Sequence, residues 1–275
     1  MTRPKKITLL NEQSYRIFLS HAPDGIGHNH QAIINDGHQD HSVFASFYPA
    51  ATHPKSLVNE ITAYLLAMAL GLPIAPKAFI VLVKAGYLQS IDSRLAFPDQ
   101  DDLIPLWCTC SIPGSSPKIH YNLKNVHENP VFIADISKWK HVLDTVVFDE
   151  WLGNSDRNVG NLIRTGKHCY TLIDHEDIAI HRTWQADWLE PGRKIQNLLA
   201  YILWTDRGPA DVKQVNEMMY FSESAMTANI QVLQELVYWW KLLLDNNELT
   251  ALHRFIMKRA TICPSLIAQR FGALL

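Results

Sequence analysis

Residues 6–54 alternate apolar and polar positions in short pieces, ITLL, YRIFL, AII and SVFASFY, divided by turn formers such as Pro23-Asp24-Gly25 and Asp36-Gly37. Period-two alternation between such breaks predicts a small antiparallel sheet. From Ser56 the period lengthens. Leu57, Ile61, Tyr64, Leu65 and Met68 fall on one face of a helix that Ser56 opens as N-cap and Gly71 and Pro73 close. FIVLV and YLQSI then read as two further strands paired across Lys84-Ala85-Gly86. Residues 93–130 lose regular pattern, with Pro98, Pro105, Pro113, Pro117 and Pro130 interrupting them, which suits a connection between lobes. Beyond it, helices are predicted over 136–152, 193–204, 211–220, 224–245, 247–260 and 264–273, with VLQELVYWWKLLL as the central one and Trp239 and Trp240 in its core. Set among them are two short strands, NLIR and CYTLID, joined by Thr165-Gly166-Lys167. The expected class is α+β in two lobes: a sheet with one main helix in residues 1–92, a connection over 93–130, and a mostly helical lobe over 131–275.

Composition bounds the function. A chain of 275 residues with 47% hydrophobic content buries a full core. Lys and Arg number 25 against 27 Asp and Glu, without a basic block, so neither nucleic-acid binding nor recruitment to a membrane surface is expected. MTRPKKITLL has too short an apolar run for a signal peptide, and no stretch reaches the roughly 18 apolar residues of a membrane helix, so a cytoplasmic location is expected. Cys108, Cys110, Cys169 and Cys263 read as reduced thiols rather than a disulfide framework or a zinc site. Thirteen histidines include a crowded group, His21, His28, His30, His38, His41 and His53, that lacks regular ligand spacing.

The chemistry concentrates between Asp149 and Glu176. Asp156 is followed by Asn161 in the turn before the hairpin, and Asp174 closes its second strand. Two ends of one hairpin thus face the loop that carries Asp156. One carboxylate to orient and deprotonate a hydroxyl, with a carbonyl oxygen and a second carboxylate for a hard cation, is the set that phosphoryl transfer requires. Asx residues also populate turns for local backbone bonding, but the second Asp at the end of an apolar strand favours the chemical reading.

In the words GNSDRNVGNL and LIDHE, and in KSLVNEITAYLLAMALGLPIAPKAFIVLV over residues 55–83, the chain resembles the HipA-like kinases. Their catalytic core is shared with phosphatidylinositol 3- and 4-kinases and, more distantly, with protein kinases. The resemblance touches roughly residues 25–180. It implies a two-lobed kinase-like fold with ATP and Mg2+ as cofactors. Asp156 is similar to the catalytic-loop aspartate, with Arg157 steadying the loop or the acceptor side, and Asn161 and Asp174 to the metal ligands. Glu60 corresponds to the helix glutamate that holds a strand lysine, and Gly25 and Gly27 to a loop approaching phosphates through backbone amides. Ser46 stands where the strand lysine belongs, which leaves Lys55, Lys77 and Lys84 as substitutes. The implied acceptor is a protein Ser or Thr, in toxin members a translation component, with a partner protein from the same operon. A kinase-fold module without catalysis, antitoxin-like in role, is the alternative. No Ser or Thr occurs between His21 and Gln31, so self-phosphorylation on that loop is not expected.

Overall fold

A computed structural model describes residues 6–22, 28–121, 129–204 and 207–272. They form two compact units, residues 1–54 with 75–112 and residues 55–74 with 113–275. Gly25 and Gly27 lie outside the described residues.

The first unit is a six-stranded sheet. Its strands are β1 (Ile7–Leu10), β2 (Tyr15–His21), β3 (His28–Asn35), β4 (Asp40–Phe47), β5 (Ala78–Lys84) and β6 (Leu103–Cys110), in the order β1-β5-β6-β4-β3-β2. Alternation in β3 and β4 sends Ala32, Ile34, Val43 and Ala45 into the core with Phe79, Val81, Leu106 and Cys108. Two expectations fail here. YLQSI is not a strand but part of helix α1 (Ala85–Ile91 in the sheet unit), whose Leu88 packs on the same core. The partner of β5 is β6, inside the stretch expected to be an irregular connection. Pro105 is tolerated there because β4 pairs with β6 only over Trp107–Cys110, leaving Pro105 beyond that ladder. The sheet is also mixed rather than antiparallel throughout, since β1 runs parallel to β5.

The second unit holds the main helix, here αM (Ser56–Ala69), which the sequence pattern assigned to the sheet lobe. It is buried nearly all round, Asn59, Glu60 and Thr62 included, with Trp240 on one side and the segment after Asp174 on another. Lys55 rather than Ser56 is its N-cap. The remaining helices are α2 (Pro117–His120), α3 (Pro130–Ile136), α4 (Val142–Leu152), α5 (Leu198–Trp204), α6 (Val212–Ser222), α7 (Ser224–Leu243) and α8 (Asn246–Phe271). The expected helices 247–260 and 264–273 are one, because Pro264 is accommodated inside α8. Trp240 of α7 donates its indole N–H to Thr62 Oγ1 of αM at 2.8 Å. The fully buried Arg259 of α8 donates to the carbonyls of Glu150, Trp151, Pro191 and Arg193, so it adds donors to the C-terminal carbonyls of α4. Strands β7 (Leu162–Gly166) and β8 (Cys169–Leu172) form the expected hairpin. No helix among the described residues is long and apolar enough to cross a membrane.

Candidate active site

Helix α4 ends at Gly153, whose φ of +67° turns the chain into the loop carrying Asp156. A Cβ at Gly153 would sit 3.0 Å from the Phe255 ring, so space as well as conformation calls for glycine. Asn154 then links the Asp149 carboxylate to the backbone of Asp156: its Nδ2 donates to Asp149 Oδ1 at 2.8 Å and its Oδ1 accepts the Asp156 amide at 3.0 Å. From the other side Asn161 Nδ2 donates to the Asp156 carbonyl at 2.6 Å and to its Oδ2 at 3.3 Å. Asn161 Oδ1 is thereby the amide atom left to accept or to ligate.

The hairpin brings Asn161 to Asp174. Leu162 pairs with Leu172, and the Ile173 amide donates to the Asn161 carbonyl at 3.2 Å, so the residue before β7 and the residues after β8 are neighbours. Asp174 itself adopts φ +55°, a left-handed conformation that aspartate tolerates better than most residues and that redirects the chain out of the strand. Its side chain keeps an exposed surface although protein crowds the carboxyl group. Burial raises its pKa, Arg157 opposes that rise, and Asp156 and Asp177 add to it. A carboxylate disfavoured in this way, beside a second carboxylate, is stabilised by a cation. Asn161 Oδ1 and the carboxylate oxygens of Asp174 and Asp156 are hard donors that suit Mg2+. Among the described residues, no group of three His, Cys, Asp or Glu side chains is arranged to hold a metal, and this set differs in containing an amide.

Arg157 explains why the pieces hold together. Its guanidinium has no exposed surface; Nε and Nη2 donate to Asp149 at 3.2–3.3 Å, Nη1 to the carbonyls of Asn161 at 3.3 Å and Ile173 at 2.9 Å, and Nη2 to His175 Nδ1 at 2.9 Å. It therefore ties Asn161 and the residue before Asp174 to α4, with every guanidinium nitrogen engaged by protein. Of its two expected roles the geometry carries only the steadying of the loop. His175 accepts as a neutral ring, its pKa lowered by burial and by Arg157, and packs edge-on against Phe148 at 6.2 Å. Asp149 was not among the residues singled out from the sequence. Its signal was an apolar-rich helix, VLDTVVFDEWL, that places a carboxylate eight residues before Arg157.

Glu60 is 4% exposed, and its Oε1 accepts the His175 amide at 2.8 Å. This contact lies on the segment after Asp174, not at a strand lysine. The substitute lysines are engaged as well: Lys55 with Glu248 and the Trp184 ring, Lys77 with Asp36 at 3.2 Å, and Lys84 with Asp101 at 2.9 Å. Ser46 lies in β4 opposite Asn29 and Trp107.

No family profile and no curated sequence matches the chain. Among solved structures, the Helicobacter pylori proinflammatory kinase CtkA aligns with 97% of this chain and 99% of its own at a TM-score of 0.55 and 12% identity. WaaP in complex with acyl carrier protein aligns with 86% of this chain and 90% of its own at a TM-score of 0.36 and 9% identity, and the fold assignment rests on CtkA alone. The chain has a kinase-like α+β fold, with a sheet unit and a helical unit.

Proposed function

We propose that this protein is an ATP-dependent kinase that transfers the γ-phosphoryl group to a hydroxyl. The single observation carrying this reading is the meeting of Asp156, Asn161 and the exposed Asp174 around the open end of the β7–β8 hairpin. The kinase-like fold supports it. Asn161 and Asp174 would hold Mg2+, which would neutralise charge on the nucleotide phosphates and align the leaving group. Asp156 orients the acceptor hydroxyl and takes its proton as the oxygen attacks the γ-phosphorus and the bond to the β,γ-bridging oxygen breaks, releasing ADP. By its likeness to HipA-like kinases, the acceptor is a protein Ser or Thr and the protein acts within a toxin-antitoxin pair.

One observation favours a second reading. By the likeness to HipA-like kinases Ser46 stands where the strand lysine belongs, and Lys55, Lys77 and Lys84 have other partners, as suits a nucleotide-binding module without turnover. Incubation with Mg2+ and γ-labelled ATP, with candidate protein acceptors, separates the two. Label transferred by the parent chain and lost in Asp156→Ala supports the kinase. Nucleotide binding with no transfer in either protein supports the module.

A further inference from the structure

Residues 173–184 form neither helix nor strand, so their buried polar groups need partners from elsewhere. Helix αM supplies them from one face. Ser56 Oγ donates to Glu176 Oε2 at 2.9 Å, Asn59 Nδ2 donates to the carbonyls of Glu176 at 2.6 Å and Ile178 at 3.0 Å, and Glu60 Oε1 accepts the His175 amide at 2.8 Å. The spacing i, i+3, i+4 is what sets these three side chains side by side on a helix. Asn59 is the centre of the group. It is 0% exposed, and its Oδ1 accepts the indole N–H of the buried Trp184 at 3.0 Å. That bond fixes the amide's orientation: flipped, its oxygen would face two carbonyl oxygens and its nitrogen the Trp184 donor.

We propose that Asn59 is a positioning residue for the metal carboxylate, holding the backbone after Asp174 so that Asp174 stays at the hairpin mouth beside Asn161. The inference rests on the reading of Asp174 as a metal ligand. The segment needs such a hold because three of its residues, Asp174, Ala179 and Ile180, have positive φ values of 55°, 52° and 82°. Left-handed backbone at a β-branched residue persists only where surrounding bonds over-determine it. On the far side, the Ala179 and Ile180 amides donate to Leu152 and Gly153 at 2.8 and 3.0 Å. Asn59 supplies the hold on the near side. The Lys55–Glu248 ion pair and the Lys55–Trp184 stacking at 5.1 Å keep Trp184 against the start of αM. A metal carboxylate fixed in this manner is in place without any modification of the segment.

The test compares the full-length parent with Asn59→Asp, which keeps the acceptor for Trp184 but turns two donors toward carbonyls into acceptors, and with Trp184→Phe, which keeps an aromatic ring and removes the N–H. Hydrogen exchange is followed at the 175–180 amides and at α4 and α8, and nucleotide binding is measured with and without Mg2+. Faster exchange confined to 175–180 is expected in both variants, with Mg2+-dependent ATP affinity weaker by about tenfold or more and metal-free affinity unchanged. Unaltered exchange at 175–180 in a folded variant overturns the hold. Faster exchange with unaltered Mg2+-dependent affinity overturns its role in placing Asp174. Should the parent bind no Mg2+-nucleotide, the kinase reading and the positioning role fall together, while the exchange result alone decides whether the hold exists. If Asn59→Asp does not fold, Trp184→Phe decides both points.

Discussion

Replacing Arg157 by alanine removes a guanidinium with 0% exposure from a carboxylate, Asp149, that is equally buried. Two consequences are separable. Asp149 keeps only the Asn154 amide, at 2.8 Å, as a side-chain partner, and burial already raises its pKa. Breaking a buried pair by deleting one member costs roughly 3–5 kcal/mol, a large part of the ~5–15 kcal/mol that stabilises a typical domain. At roughly 2–4 °C per kcal/mol for a protein of this size, the melting temperature falls by about 6–20 °C. The second consequence is local: the carbonyls of Asn161 and Ile173 lose their shared donor, so Asn161 and the residue before Asp174, the positions proposed to flank the metal, are no longer tied to α4. The double variant Arg157→Met with Asp149→Leu isolates this. Replacing both charges by apolar groups of similar volume is often neutral or stabilising, so thermal stability returns toward the parent value. Mg2+-dependent ATP binding, measured by calorimetry, stays impaired. A double variant that regains stability and also binds Mg2+-ATP like the parent would refute the placing role and reduce Arg157 to half of an ion pair.

Further outcomes follow from the same geometry. Asp156→Asn is expected to leave Mg2+-ATP affinity within a few fold and to lower phosphoryl transfer by several orders of magnitude in a single-turnover assay, since it acts in the transition state. Asp174→Asn is expected to weaken Mg2+-dependent nucleotide binding while metal-free binding persists, which calorimetry in Mg2+ against EDTA reads directly. Glu176 has its pKa raised from 4.5 to about 7, first by burial and then by Asp174, with Arg182 and Ser56 opposing. The folded chain therefore holds a proton that the unfolded chain releases, and stability falls as pH rises from about 4.5 through about 7. Glu176→Gln is expected to flatten that part of a urea-denaturation profile taken in the absence of metal, and an unchanged slope would exclude Glu176 as its source.

How far the sequence was legible depended on how local each signal was. Strands β1 to β4 and the β7–β8 hairpin follow from short apolar pieces and turn chemistry confined to their own residues, and β5 from a continuous apolar run. β6 was hidden because Pro105 and the flanking prolines break its pattern, and only the limited reach of β4 along it, a tertiary fact, makes proline acceptable there. YLQSI is short enough to pass for a strand, yet Leu88 and Ile91 stand three apart, a helical spacing that sets both against the sheet's core. αM was legible as a helix but not in its membership, since a helix buried on most sides carries no single stripe to say which unit it joins. Asp156, Asn161 and Asp174 were readable from their spacing around a hairpin. The residues that set them in place were not. Asp149 and Asn59 act from other elements across 8 and more than 100 residues of chain, and a buried polar side chain in a helix announces no partner. Glu60 stands out in the sequence as a partner for a lysine, and its bond to the His175 amide, across more than 100 residues, carries no local signal.

The central claim is that Asn161 and Asp174 share one divalent cation with a nucleotide while Asp156 faces the γ-phosphate. Crystals grown with Mn2+ and a non-hydrolysable ATP analogue test it through the anomalous scattering of manganese. The expected result is a peak within ~2.0–2.3 Å of an Asp174 carboxylate oxygen and of Asn161 Oδ1, with the analogue's phosphates completing the shell and Asp156 directed at the γ-phosphate. Saturating Mn2+-nucleotide bound elsewhere, or Asp174 and Asn161 left without the ion, would contradict it.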